Sequence, residues 1–361
     1  MLNFKKAIRS AKEYLKSTFM PQPFFLHVTP TRKCNLRCEY CYQYNNETNE
    51  MSLDSFREII DNNYRLGLSI VAFTGGEPLI WEHLDEAIEY CTQKNIFTQL
   101  TTNGTLLSED RVNRLKKVGL DYLMVSVDAV RRKPYSQKTV SDNPKIIGLL
   151  KYARFKGMIV SWNAVLMLDN YKDVYELIEI SNEERIPISI GIITPPPNRE
   201  DKWNGNGLEL KDYHHNGFLK KIIERLRDYK DKGYPIIEPK KYFEDIEKYL
   251  NGKFAWDCSL AKARAIQVSP QSEIYWCSKL NLVSPYKANS LSKAQLNLFK
   301  KELFSIIKEC NQNCYSNCAY NGYYLQKHKL YFLTNTLLLF LQSAFTNGYT
   351  DSVSRIGKML D

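Results

Sequence analysis

Cys34, Cys38 and Cys41 stand in the spacing C-x3-C-x2-C directly after the apolar run Phe24 to Val28, and this triplet decides most of what the chain can be. Three thiolates on one short loop can hold three corners of a cubic iron-sulfur cluster, leaving the fourth iron open to a substrate or cofactor. The competing reading is a structural zinc site, which normally closes its tetrahedron with a fourth Cys or His. His27 is the only nearby histidine, and it lies upstream, inside an expected strand. The tight nesting of the cysteines favours a cluster.

A second motif follows the next strand. Ile70-Val-Ala-Phe-Thr74 reads as β-structure and turns through Gly75-Gly76-Glu77-Pro78. Paired glycines let backbone approach a ligand without interference from Cβ. In βα barrels, ligands and catalysis gather at the carboxyl ends of the strands. Taken alone, the motif also fits an ordinary Gly-Gly turn.

The elements that must position these residues alternate. From Phe24 to Ile193 short β-rich runs exchange with longer helical patterns, the signature of βαβ units and a parallel sheet. Strands are expected at 24–29, 69–73, 96–101, 121–127, 159–166 and 187–193. Helices fit between them at Ser52 to Tyr64 with Ser52 as N-cap, Glu82 to Lys94, Ser108 to Lys117 with Gly119 beyond, Pro144 to Phe155 and Lys172 to Asn182. The expected fold class is α/β: a partial (β/α)6 TIM-like barrel with a small cysteine-rich α+β domain after it. Thr194-Pro-Pro-Pro-Asn198 ends the sheet, because prolines cannot continue a strand. Two further helices are expected, roughly at 211–231 and 240–250.

The cysteine triplet with Tyr40 before its last member, Gly75-Gly76-Glu77-Pro78, Thr101-Thr-Asn-Gly104 after the third strand and Val125-Ser-Val-Asp128 at the fourth together resemble the radical S-adenosylmethionine (SAM) superfamily, over about half the chain. The resemblance implies that Cys34, Cys38 and Cys41 hold a 4Fe-4S cluster whose open iron is chelated by the amino and carboxylate groups of SAM. Gly75, Gly76 and Glu77 would meet the methionine amine mainly through backbone, and Tyr40 would lie near the adenine. Asn103, Ser126, Asp128 and Asn163 complete the implied SAM-binding set; Ser126 and Asp128, two apart, share one face of their strand. Reducing a sulfonium needs a strong one-electron donor, and such clusters reach potentials as low as about −700 mV. The implied products are methionine and a 5′-deoxyadenosyl radical that abstracts a hydrogen or adds to a double bond, while the protein supplies orientation and a closed site. A low-potential electron donor such as a flavodoxin or ferredoxin is the implied partner.

A second cysteine group begins after Trp256: Cys258, Cys277, Cys310, Cys314 and Cys318. Cys258 and Cys277 bracket an expected hairpin, Ala265 to Val268, a turn at Ser269-Pro-Gln-Ser272, then Glu273 to Trp276. This resembles the half-domain called twitch, or a reduced SPASM domain, in which such cysteines bind an auxiliary cluster. Cys310-x3-Cys314-x3-Cys318 departs from the usual spacing, and Ser272 stands near the family's turn glycine, so the ligand set stays open. Five cysteines exceed the four that one 4Fe-4S cluster requires. One auxiliary cluster on Cys258, Cys277 and two of the later three is expected, with zinc or free thiols as alternatives. Cys91, alone in a helical pattern, reads as a small buried hydrophobe. The expected organisation is an amphipathic helix at 1–20, a radical SAM core at 21–200, a helical linker at 201–255, a SPASM/twitch-like domain at 256–325, and an apolar helix and tail at 326–361.

With 361 residues, 43% of them hydrophobic, the chain can bury a substantial core. Met1 to Phe19 lacks the pattern of a secretory signal, so the nine cysteines read as reduced thiols in a cytoplasm. The net charge of +10 suits an acidic partner, but Lys is scattered and no RNA-recognition signature appears, so nucleic acid is not expected. Phe4, Ala7, Ile8, Ala11 and Leu15 form one face of a basic helix, expected to pack on its own domain, with peripheral membrane contact as the alternative. The apolar stretch Leu330 to Phe345 is shorter than the roughly 20 residues of a spanning helix and reads as buried or interfacial. Arg131, Arg132 and Lys133 follow the fourth strand, either attracting an anionic group or forming a solvated loop, and Trp203 reads as a lid or a packing residue. A peptide or small metabolite is the expected substrate. A lipid or isoprenoid at the membrane surface, and a non-catalytic metal-binding protein, are the alternatives.

Overall fold

The computed structural model describes residues 4–17, 22–46, 49–193, 217–250, 265–277 and 282–309, with Tyr315 and Tyr320. The expected alternation is present. After α1 (Phe4–Ser17) come β1 (Phe25–Val28), α2 (Leu53–Arg65), β2 (Ile70–Phe73), α3 (Leu84–Gln93), β3 (Phe97–Thr102), α4 (Glu109–Lys117), β4 (Tyr122–Ser126), α5 (Ile146–Phe155), β5 (Ile159–Leu166), α6 (Tyr171–Glu183) and β6 (Ile188–Ile192). These strands pair parallel in the order β6-β5-β4-β3-β2-β1, an α/β partial barrel.

Side-chain alternation explains why the sheet sits as it does. In β1, Leu26 and Val28 are fully buried in the same core as Phe56, Ile59 and Ile60 of α2, while Phe25 and His27 on the other face stay partly exposed to the lumen. Each fully buried side chain of this kind contributes about 2 kcal/mol. Ser52 caps α2, accepting from the Ser55 amide, as expected from the sequence. Cys91 is fully buried in α3, and burial pushes its thiol pKa up.

The expected hairpin forms as β7 (Ala265–Val268) and β8 (Glu273–Cys277), turning at Ser272, which has φ +62°. It adds to the barrel sheet itself: β7 pairs parallel with β1 from Phe25↔Ala265 to Val28↔Val268, and β9 (Leu282–Lys287) pairs antiparallel with β8. Leu296, Phe299 and Leu303 of the helix Lys293–Glu309 are buried in the same core. Beyond β6, Ile236 bridges Ile188 between the helices Phe218–Asp231 and Lys240–Leu250.

The first helix packs on its own domain, but with the opposite face from the one its apolar residues suggest. Lys6, Ser10, Glu13, Tyr14 and Ser17 are buried, whereas Ile8 is 54% and Leu15 46% exposed. The reason is a specific partner: Lys6 Nζ lies 2.6 Å from Asp121 and also donates to Gly119 O, at the amino-terminal end of β4. Arg9 donates to Leu68 O and covers the Tyr64 ring. The helix therefore closes the barrel at the end opposite to the strand carboxyl termini.

Cys258, Cys310, Cys314, Cys318, Trp203, the prolines after Thr194 and the stretch Leu330 to Phe345 lie outside the described residues. Among the described residues no helix is long and apolar enough to cross a membrane.

Candidate active site

At the carboxyl ends of β1, β2 and β3 the loops interlock through backbone. The Gly76 amide donates to Thr31 O (3.0 Å) and the Glu77 amide to Lys33 O (2.8 Å), so the Gly-Gly turn lies directly against the loop that leads into Cys34. A Cβ at Gly76 would stand 2.0 Å from Lys33 O, and one at Gly75, which has φ +120°, 2.6 Å from Thr31 O. Here the glycines are required by the approach of protein backbone. Those two amides are thereby consumed by the cysteine loop.

Glu77 is the clamp. Its carboxylate, 1% exposed, accepts from the Leu79 amide (3.0 Å), Thr102 Oγ1 (2.7 Å) and the Asn103 amide (2.7 Å), tying the β2 loop to the β3 loop. Burial raises its pKa against the pull of these donors. Asn103 continues the chain of contacts: its Nδ2 donates to Asn35 Oδ1 at 2.8 Å and lies 4.0 Å from Cys34 Sγ.

From the other side, the segment after β4 holds the cysteine loop. The Glu39 amide donates to Tyr135 O and the Arg37 amide to Gln137 Oε1. The Tyr40 hydroxyl donates to Asp128, whose fully buried carboxylate also accepts from Ser136 Oγ (2.8 Å) and the Val165 amide (3.1 Å). Lys138, which no sequence motif singles out, completes the group, 3.3 Å from Asp128 and 4.9 Å above the Tyr40 ring. Burial alone would lower its pKa, yet Asp128, Tyr40, Cys38 and Cys41 hold it well above the usual lysine range. Ser126 and Asn163 are register neighbours across β4 and β5.

The cysteines fit a cluster. Burial raises the pKa of the Cys34 and Cys38 thiols; the cysteines add to each other's shift, and Lys138 opposes it at Cys38. Among the described residues no three His, Cys, Asp or Glu side chains converge as a single metal ion requires. A cubic cluster needs no such convergence, since each thiolate binds a different iron. The donor set, three soft sulfurs beside the partly buried Lys138 cation, suits an anionic cluster.

Arg131, Arg132 and Lys133 are paired with Glu176 (2.7 Å), Asp142 (2.8 Å) and Asp173 (2.8 Å) respectively. Their charge is compensated within the fold. Cys277 lies at the end of β8, and its expected companion cysteines lie outside the described residues.

The chain is similar to several known proteins. The chain is 28% identical over 218 residues to Fe-coproporphyrin III synthase of Methanosarcina barkeri, covering 57% of this chain and 52%, about half, of that protein. It is 27% identical over 300 residues to GTP 3',8-cyclase of Clostridium perfringens, covering 79% of this chain and 88% of that one. Streptococcus suis SuiB, solved with its precursor peptide SuiA, shares the fold with a TM-score of 0.63 at 20% identity, covering 85% of this chain and 71% of SuiB. SuiB bound to S-adenosylmethionine gives a TM-score of 0.62 at 20% identity, covering 84% of this chain and 71% of SuiB. Residues 28–204 match the family model for the Radical SAM superfamily, and this is the segment that carries the cysteine loop, the Glu77 clamp and the Asp128 group.

Proposed function

We propose that this chain is an enzyme that reductively cleaves SAM and directs the resulting radical at a peptide or small metabolite in the barrel lumen. The observation that carries the reading is the Glu77 clamp: one buried carboxylate joins the β2 and β3 loops beneath the cysteine loop, so the motifs form one rigid rim. Cys34, Cys38 and Cys41 would hold the cluster, which with SAM supplies one-electron reduction of a sulfonium and a carbon-centred radical. The protein's own part is positional. Asp128 orients Tyr40 and Lys138 beside the cysteines, and Ser126 and Asn163 line the wall below. A low-potential donor such as a flavodoxin or ferredoxin supplies the electron.

An auxiliary cluster on Cys258, Cys277 and two of Cys310, Cys314 and Cys318 belongs to this proposal, as does a cytoplasmic setting. The lipid alternative loses the support of the first helix, which closes the opposite end of the barrel from the cysteines.

Anaerobic reconstitution, iron and sulfide analysis and a SAM cleavage assay test the reading. The expected result is 5′-deoxyadenosine under strong reduction and its loss in Cys38→Ala. A reconstituted protein that forms none, or a Cys38→Ala variant that still cleaves SAM, would overturn it. Iron that binds with no cleavage would leave the metal-binding alternative standing.

A further inference from the structure

The lumen wall carries a row of hydrogen-bonding groups that the cysteine loop does not use. Strand register places Tyr275 of β8 beside Gln267 of β7, Gln267 beside His27 of β1, His27 beside Ala72 of β2, Ala72 beside Gln99 of β3 and Gln99 beside Tyr122 of β4. Side chains at paired positions project from one face of a sheet. That face is turned away from the helices, because the adjoining residues Leu26, Val71 and Leu100 are fully buried in the helix-packed core.

The middle of the row is short of partners. Gln267 Oε1 is buried with no hydrogen-bond partner among the described residues, a costly state that a ligand donor would relieve. Among the described residues Gln99 Nε2 reaches only Met124 Sδ, at 3.9 Å. His27 lies 4.5 Å from the Phe25 ring, and burial lowers its pKa to about 4. At neutral pH its ring is therefore an uncharged donor and acceptor. The ends of the row are already engaged, Tyr275 by Arg32 and Tyr122 by Ser161 at 2.7 Å.

A group that satisfies such a wall offers a donor and an acceptor side by side and no net charge. We propose that Gln267, His27 and Gln99 form a recognition wall for an amide of the substrate, an N–H beside a C=O, such as a peptide bond or a ring lactam presents. The inference rests on the radical SAM reading, which puts the substrate in the lumen below the cysteine loop. A hydrocarbon chain there would desolvate these groups without pairing them. The hairpin is essential to the wall, since β7 supplies Gln267.

Saturation-transfer NMR on the reconstituted full chain tests this with two matched probe pairs. One pair is N-acetylalanine N-methylamide and its analogue with oxygen in place of each N–H; the other is guanosine and O6-methylguanosine. The expected result is about tenfold tighter binding of the amide member of one pair, and the pair that discriminates identifies a peptide or a lactam source. Gln267→Leu and Gln99→Leu are each expected to abolish that preference. Equal binding within both pairs overturns the proposal, as does a preference that survives in whichever variants keep the wild-type melting temperature. SAM cleavage by the wild-type protein is measured in parallel. Its absence counts against the enzyme reading, whereas cleavage without amide discrimination sinks only the recognition wall.

Discussion

Replacing Gly76 with alanine tests the interlocked rim most directly. The added methyl would lie 2.0 Å from Lys33 O, 2.6 Å from the Lys33 carbonyl carbon and 2.8 Å from that of Arg32. Carbon atoms pack at about 3.5–4.0 Å, so the cysteine loop must retreat by about 1 Å, and backbone has no rotamer through which to escape. Retreat breaks the Gly76 to Thr31 and Glu77 to Lys33 hydrogen bonds. Two such bonds at about 1 kcal/mol each and overpacking strain of about 1–3 kcal/mol give a loss of about 3–5 kcal/mol. Urea denaturation measures it, and iron per chain after anaerobic reconstitution is expected to fall with it. Gly148→Ala is the control. Gly148 lies in the first turn of α5, where an added methyl would meet nothing within 4 Å, so the change is expected to stabilise by at most about 0.5 kcal/mol. A Gly76→Ala protein with the wild-type urea midpoint and full iron loading would refute the reasoning.

Glu77→Gln turns an amide nitrogen toward a ring of donors and is expected to cost about 1–3 kcal/mol, while Glu82→Gln, at a side chain 79% exposed, leaves the denaturation midpoint unchanged; equal midpoints for the two would count against the clamp. Lys6→Met strands the buried Asp121 carboxylate and is expected to cost about 3–5 kcal/mol, part of which Asp121→Asn restores in the double variant; simple additivity would argue against the pair. His27 has its pKa lowered by burial to about 4, so below its unfolded value the unfolded chain binds the extra proton. Its contribution is full above about pH 6.5, falls as pH drops toward 4, and amounts to at most about 3 kcal/mol because the ring is partly exposed. Urea midpoints at pH 7.5 and pH 5 should differ less in His27→Gln than in the wild type, and equal differences would remove His27 as the cause.

The strands and most helices were legible because their signals are local. Each expected strand lies within one residue of its observed ends, since β-rich runs alternate with helical patterns and turn residues punctuate them. The hairpin at Ser269-Pro-Gln-Ser272 was legible for the same reason. Its pairing with β1 was not, because Phe25 and Ala265 meet only when the barrel closes its edge. The first helix shows the limit most plainly. Its apolar face pointed one way, and a buried ion pair with Asp121, 115 positions along the chain, turned it the other.

By itself the sequence determined the chemistry on offer: three cysteines in a cluster spacing, a Gly-Gly-Glu-Pro turn after the next strand and a βα order that sends both to one end of a sheet. Residue type and spacing are written in the chain, so a ligand set on one loop can be read directly. The tertiary structure decided what holds that loop and what faces it. Glu77 as a clamp, Lys138 beside the cysteines and Gln267 beside His27 all depend on residues far apart in sequence. Such partners acquire meaning only once burial removes water and leaves each charge and hydrogen-bonding group with the neighbours that the fold supplies.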